Sequence, residues 1–399
     1  MAIAAHLAPD EGVPGYRRIT VATGLAMFID AALYLAVLPL LPHYAHEFGF
    51  GTLGAGLLIA AYPAAVPVVS LGSMVLVPRV GARRMALWSA VLMTAATIGF
   101  AFAPGAWALI LSRFLQGVAS GTVWTASMAW VTDNAPPDRR GRESGIVMGM
   151  LSAGSIAGPI VGALAAWIGT REAFLLVAVA SAATVILTAI APRGRPVTRE
   201  PELLQSLARV VNHPLARAGI AVSLIDPLAF GTIDVLVPLR LGDMGVATTA
   251  LAAAFGVGAA LGSLAGPPAG RLVDRVGAPR VALIAAVLVS VTPLLFALIS
   301  SSHGQLALLA VASPVFAVVG AAMFPLTSAG ADETGVAHVV VNGVLGATWA
   351  IAFTVVPLVA GVLAHLTSDT AVFVLASVAC VPLLVPVALA VRGPAVPAG

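Results

Sequence analysis

The chain has 399 residues, of which 60% are hydrophobic and 9% charged, with a mean hydropathy of +1.03 and a formal net charge of +3. A soluble protein of this length needs far more polar surface, so composition excludes a soluble globular fold. The basic side chains are all arginine and scattered, which argues against the dense cationic face of a nucleic-acid binder, and the single cysteine, Cys380, excludes a disulfide framework or multi-cysteine metal site.

A membrane-crossing helix needs roughly 20 apolar residues. Runs of that kind occur near 18–41, 53–77, 84–103, 106–131, 145–168, 172–191, 216–239, 247–269, 280–300, 305–326, 338–364 and 370–391. The segment before Arg18 is short and mildly polar, so the first run reads as a retained span and not a cleaved signal. The joints are short and carry Pro, Gly or charge, and the only long polar stretch is about 192–215. The expectation is an all-α membrane protein of about twelve transmembrane helices in two six-helix bundles, residues 1–191 and 216–399, joined by a central loop over 192–215.

Arginines mark alternate joints: Arg17 and Arg18; Arg79, Arg83 and Arg84; Arg139, Arg140 and Arg142; the central loop; Arg271, Arg275 and Arg280; and Arg392. The other joints hold only Arg171 and Arg240. Positive charge stays on the cytoplasmic side, so both termini and the central loop are expected there, in a plasma membrane.

The halves repeat each other. Asp226 lies 196 positions after Asp30 (226 − 30 = 196), and the same shift carries Tyr34 onto Phe230, Pro42 onto Pro238 and Gly49 onto Gly245. It also lays Arg79-Val80-Gly81-Ala82 on Arg275-Val276-Gly277-Ala278, while a shift of 198 (357 − 159 = 198) takes Pro159-Ile160-Val161 to Pro357-Leu358-Val359. A six-plus-six repeat predicts two related bundles with a substrate site between them at the bilayer midplane, a plan suited to alternating access.

The joint after the eighth span reads Gly270-Arg271-Leu272-Val273-Asp274-Arg275-Val276-Gly277-Ala278-Pro279-Arg280. It resembles the G-x-x-x-D-R-x-G loop signature of the major facilitator superfamily. Arg113-Phe114-Leu115-Gln116-Gly117 resembles that superfamily's R-x-x-Q-G motif, and Gly154, Gly158, Pro159 and Gly162 resemble the glycine-proline motif of its antiporters. Phe28-Ile29-Asp30 with Pro39 and Pro42 is similar to drug:proton antiporters and vesicular amine transporters. The resemblance implies two pseudo-symmetric six-helix bundles driven by a proton gradient without a bound cofactor. It also implies roles for Gly270, Asp274, Arg275, Gly277 and Arg280 in a cytoplasmic gating loop. The first-half copy departs from the pattern, with Pro78 where Asp274 stands and Met74 at the glycine position; the joint at Asp332-Glu333 is acidic where the family more often shows arginine.

Asp30 lies mid-span, where an ionised carboxylate is expensive unless hydrated or paired. It reads as a proton-coupling or cation-binding group, against the plainer reading of a structural buried acid. Asp226 and Asp234 stand two helical turns apart on one face of the seventh span; Asp226 repeats Asp30, whereas Asp234 reads equally as a solvated rim residue. Arg113, the arginine well inside a span, reads either as support for proton coupling or as a packing residue bonded to backbone carbonyls. Tyr34, Gln116, Trp124, Phe230 and Asn342 are candidate cavity residues, the aromatic ones able to face a cation. Glycines at 154, 158 and 162, and at 258, 262, 266 and 270, make stripes for close helix approach, with Pro159 favouring a bend. His43, His46 and Glu47 read as an interfacial loop, not a metal site.

The expected function is a proton-coupled exporter of small amphipathic or cationic compounds, acting as a monomer on a small molecule, protons and the lipid bilayer, without nucleic acid. Open alternatives are a proton-coupled importer or facilitator of sugars or metabolites, and a membrane sensor that binds without transport. An enzyme is disfavoured: the sequence holds neither an H-E-x-x-H metal motif nor a G-x-S-x-G nucleophile elbow.

Overall fold

The computed structural model describes residues 14–136, 139–195, 208–209, 211–336 and 338–392. Among these the secondary structure is helical throughout, without strands. That is what hydrocarbon surroundings demand, since a helix satisfies its backbone donors and acceptors within one segment. The first span comprises α1 (Tyr16–Ala36), a 3-10 turn (Leu38–Leu40) and the short α2 (Leu41–Phe48). Next come α3 (Thr52–Val80), α4 (Ala82–Ala101), α5 (Ala106–Thr122), a π turn (Val123–Ser127) and α6 (Met128–Asn134), then α7 (Arg140–Ile168) and α8 (Thr170–Ile190). The second half holds α9 (Pro214–Asp243), α10 (Thr248–Val276), α11 (Ala278–Leu298), α12 (Ser302–Thr334), α13 (His338–Leu366) and α14 (Asp369–Arg392).

Eleven of the described spans are long and apolar enough to cross a membrane as single segments. The fourth expected span, 106–131, is helical end to end but is cut into three by the π turn, its last helix running on to Asn134. The first expected span is not one helix either: α1 stops at Ala36, and Pro39 and Pro42 flank a new start at Leu41. Proline lacks the N–H that a continuing helix needs, so two prolines one turn apart favour a break. His43, His46 and Glu47 lie on α2 rather than in a loop, with His43 Nε2 3.2 Å from Glu47 Oε2 across one helical turn.

The structure divides into two compact units, Met1–Val37 with Ala65–Arg199, and Leu38–Ala64 with Glu200–Gly399. The stretch Leu38–Ala64, which the sequence division places in the first bundle, therefore packs with the second half. Thr52 Oγ1 donates to the Gly361 carbonyl at 2.9 Å, and a Cβ on Gly56 would sit 2.5 Å from the Pro357 carbonyl oxygen. In the first unit α1 packs along α7, and α4 on α5 and α8, over a core that includes Ile19, Met27, Val77, Trp130 and Val147. In the second, α9 packs on α12, α13 and α14, and α10 on α12; Val222, Ile225, Ala285, Val289 and Cys380 form part of that core.

The repeat is written into the backbone. Gly81 and Gly277, one shift of 196 apart, form single-residue joints with φ/ψ of 95°/138° and 93°/139°. Both lie where side chains with a Cβ are disfavoured, so glycine is required for these two corners. Gly49 and Gly245 are likewise matched, at φ 64° and 76°.

Candidate functional site

Asp30 sits two turns before the end of α1 and is 5% exposed. The indole Nε1–H of Trp124 donates to its Oδ2 at 3.3 Å. Trp124 lies on the π turn and is itself substantially exposed. A local cause of that turn is visible: Thr122 and Thr125 send their hydroxyls back to the Val118 and Gly121 carbonyls, at 3.0 and 2.6 Å. Threonine hydroxyls that bond carbonyls four residues earlier disturb helix geometry, and π turns concentrate at functional positions.

Arg113 on α5 is fully buried. Its Nη1 donates to the Leu33 carbonyl at 3.1 Å and to Gln116 Oε1 at 3.1 Å, and its guanidinium lies 5.8 Å above the Tyr34 ring. Gln116, also fully buried, donates through Nε2 to Thr97 Oγ1 at 3.3 Å, and Thr97 in turn donates to the Met93 carbonyl at 2.7 Å. This network ties α5 to α4 and to the α1 segment carrying Asp30. Through the Leu33 carbonyl Arg113 is anchored three residues along α1 from the mid-span acid.

The glycine-proline helix supports the same segment. A Cβ on Gly154 would collide with the Phe28 carbonyl oxygen, and one on Gly158 would meet the Ala32 oxygen at 2.7 Å and Leu35 Cβ at 2.8 Å. Gly154, Gly158 and Pro159 thus let α7 lie directly against the stretch of α1 that bears Asp30; Gly162 is also buried. The second stripe is used only in part. Gly258 and Gly262 approach Ser313 of α12, whereas Gly266 and Gly270 have nothing within 4 Å.

In the second unit Asp226 is partly buried, and the indole Nε1–H of Trp349 on α13 donates to its Oδ2 at 3.3 Å. The Trp349 ring tilts against Phe353, centroids 4.4 Å apart, and Phe230, one turn along α9 from Asp226, meets Phe316 edge-on at 4.4 Å. Asp234 is fully buried, and neither carboxylate oxygen has a hydrogen-bond partner among the described residues. Full burial removes the solvated-rim reading of Asp234. Asp274, Arg275 and Arg280 are exposed around the Gly277 joint and form no ion pair among the described residues. The side chains of Asn342, Met74 and Asp332 lie outside the described residues. Glu333, at the acidic joint, pairs with His213 before α9, Nε2 to Oε2 at 3.1 Å.

Trp349 is a site residue that the sequence candidates above do not include. It is the one tryptophan in the second half of the sequence, which was the available signal.

The sequence is 27% identical over 305 residues to a multi-drug resistance efflux pump PmrA homolog of Lactococcus lactis, covering 72% of this chain and 74% of that protein. It is 26% identical over 321 residues to the multidrug resistance protein MdtG of Salmonella arizonae, covering 76% and 78%. With the MFS-type transporter ppzB of Metarhizium rileyi it shares 26% identity over 51% of this chain but only 42% of that protein, so the match spans less than half of ppzB. Among solved structures, a POT family transporter in complex with a thioalcohol conjugated peptide superposes with a TM-score of 0.76 at 13% identity, covering 96% of this chain and 98% of that one. A mutant of the nucleoside transporter NupG gives 0.74 at 14% identity, covering 93% and 99%; at such identities the likeness concerns the fold alone. The sequence model of the Major Facilitator Superfamily matches residues 23–342, and the chain belongs to that superfamily of membrane transporters.

Proposed function

We propose that this transporter exports small amphipathic or cationic compounds across the plasma membrane in exchange for protons, by alternating access. The observation that carries the reading is the arrangement around α1: a buried carboxylate, Asp30, beside a fully buried arginine fixed to the same helix through the Leu33 carbonyl. A carboxylate mid-membrane is costly as an anion unless something compensates its charge. Either a proton or a cationic substrate does so, and competition between the two is the simplest form of exchange. In the proposed cycle Asp30 or Asp226 takes up a proton outside as substrate leaves, and gives it up inside as substrate binds.

The multidrug names of the relatives support the substrate class, and the arginine-rich alternate joints support cytoplasmic termini. A monomer is the proposed working state. The test is reconstitution in liposomes containing a pH-sensitive dye, under an imposed proton gradient, with a panel of cationic and neutral compounds. Substrate-evoked proton movement that disappears in Asp30→Asn is the expected result. Proton-driven exchange persisting in that variant would remove Asp30 from the cycle.

A further inference from the structure

The repeat makes Asp30 and Asp226 counterparts, and each accepts a hydrogen bond from an indole N–H at 3.3 Å. The two tryptophans are not counterparts. Trp124 belongs to the α5–α6 span, whose repeat partner α12 contains no tryptophan; the shift of 196 puts Gly320 at its position. Trp349 belongs to α13, the repeat partner of α7, and the shift of 198 puts Leu151 at its position. A duplicated sequence that had merely inherited a packing residue would carry it at matched sites. Here the acid is inherited, and the same donor reaches it from two unrelated helices. The lone tryptophan of the second half falls on this one contact.

We infer that the indole N–H groups of Trp124 and Trp349 are positioning residues, each holding its carboxylate in the orientation that receives a proton or a cation and letting go when one arrives. This deepens the exchange reading and rests on it for the consequence in transport, though not for the pairing itself. The chemistry fits the task. An indole is a donor only and carries no charge. It steadies an ionised carboxylate without neutralising it, leaving the counter-charge to the proton or the cationic ligand. An arginine in the same place would occupy the acid permanently. The two settings differ in stiffness: Trp124 rides on a π turn between two α-helical segments, while Trp349 is braced by Phe353.

Other ionisable groups lie on the same and neighbouring elements. Around α1 they are Tyr16, Arg17, Arg18 and Tyr34 on α1 itself, Arg113 on α5, Asp133 on α6, Arg140, Arg142 and Glu143 in the first turn of α7, and Arg171 and Glu172 at the start of α8. Along α9 there are Asp234 and, toward the ends, Arg217, Arg240 and Asp243; α11 to α14 carry their charged residues at their ends, with the Cys380 thiol mid-span.

Trp→Phe keeps a ring and deletes the N–H, so Trp124→Phe and Trp349→Phe are the informative variants. The first readout needs no substrate: tryptophan emission of the purified protein titrated between about pH 5 and 9, the range over which exchange would operate. The wild type minus Trp349→Phe difference isolates Trp349. The expected result is a pH-dependent change in that difference which Asp226→Asn abolishes, and a Trp124 signal that Asp30→Asn abolishes. The second readout is proton-driven efflux of ethidium from liposomes, where each Trp→Phe variant slows turnover about tenfold with little change in KM, the scale of one hydrogen bond to a charged group. Trp124→Phe in an Asp30→Asn background adds no further loss. Emission differences that persist unchanged in the Asp→Asn variants would overturn the inference. Wild-type turnover and pH profile in both Trp→Phe variants would also overturn it. If ethidium is not moved by the wild type, the exchange reading fails for that compound, and the emission titration still decides the pairing.

Discussion

In the first repeat Gly158 of α7 faces Leu35 of α1; in the second, Val356 of α13 faces Gly231 of α9. The shifts of 196 and 198 make Leu35 the counterpart of Gly231, and Gly158 the counterpart of Val356. One large and one small residue meet at each crossing, with their assignments exchanged. The charges differ more deeply. Mid-span, the first repeat holds one acid and one base, Asp30 and Arg113. The second holds two acids, Asp226 and Asp234, while Leu309 stands where Arg113 would be. Close packing is the shared constraint and tolerates either assignment. Charge is not exchanged in this way: the first repeat sets one acid and one base mid-span, and the second sets two acids.

The sharpest way to break that comparison is to neutralise the inherited acids. Asp30→Asn and Asp226→Asn are each expected to lower proton-driven exchange by roughly 100-fold or more, the scale on which removing a proton-transfer group acts. Equal losses would make the repeats partners in one cycle; a loss confined to Asp30→Asn would leave Asp226 to substrate recognition. Arg113→Gln comes next, with exchange expected to fall by about tenfold, as loss of one charge-assisted hydrogen-bond donor implies. Parallel thermal unfolding in detergent would report how much of that fall is structural.

Stability separates the repeats in a further way. Asp234 occupies the position that Leu38 holds in the first repeat and is buried without a hydrogen-bond partner among the described residues. Asp234→Leu is therefore expected to stabilise the protein by about 1–3 kcal/mol, the penalty carried by an unsatisfied buried polar group, while exchange falls. A lower unfolding temperature in this variant would show that Asp234 is structurally satisfied. The packing exchange can be tested by grafting. Gly158→Val alone overfills the α1–α7 crossing, costing about 1–3 kcal/mol, and Leu35→Gly in the same chain should recover most of the loss. The smallest effect belongs to Thr52→Val, which deletes the bond to the Gly361 carbonyl and is expected to cost about 1 kcal/mol.

Much of the fold was legible because the bilayer imposes one simple rule, a helix-length run of apolar residues between polar joints. Helix starts such as Ala106 and His338 fell where the sequence placed them. The break after Ala36 was not read, although Pro39 and Pro42 are its local cause, because apolar content continues across it unchanged. The π turn was missed for a related reason: one extra residue per turn leaves no trace in hydropathy. At the site, sequence periodicity found the acids and Arg113, which stand out against an apolar background. It named Trp124 and Gln116 as cavity candidates without pairing them with Asp30 and Arg113, and it did not single out Trp349. Trp124 and Trp349 reach their carboxylates from distant parts of the chain, and no one-dimensional spacing encodes that meeting.

The π turn also sets the clock for the helix beyond it. An α-helix advances about 100° per residue, so the residue accommodated between Val123 and Ser127 fixes the azimuth of all of α6. At the end of α6, Asn134 accepts the Arg195 backbone N–H through Oδ1 at 2.7 Å and donates to the Trp130 carbonyl at 2.7 Å. Arg195 opens the connection between the halves. A deletion of one residue in the turn would leave the hydropathy of this span almost unaltered, yet it would swing Asn134 away from the Arg195 backbone it holds.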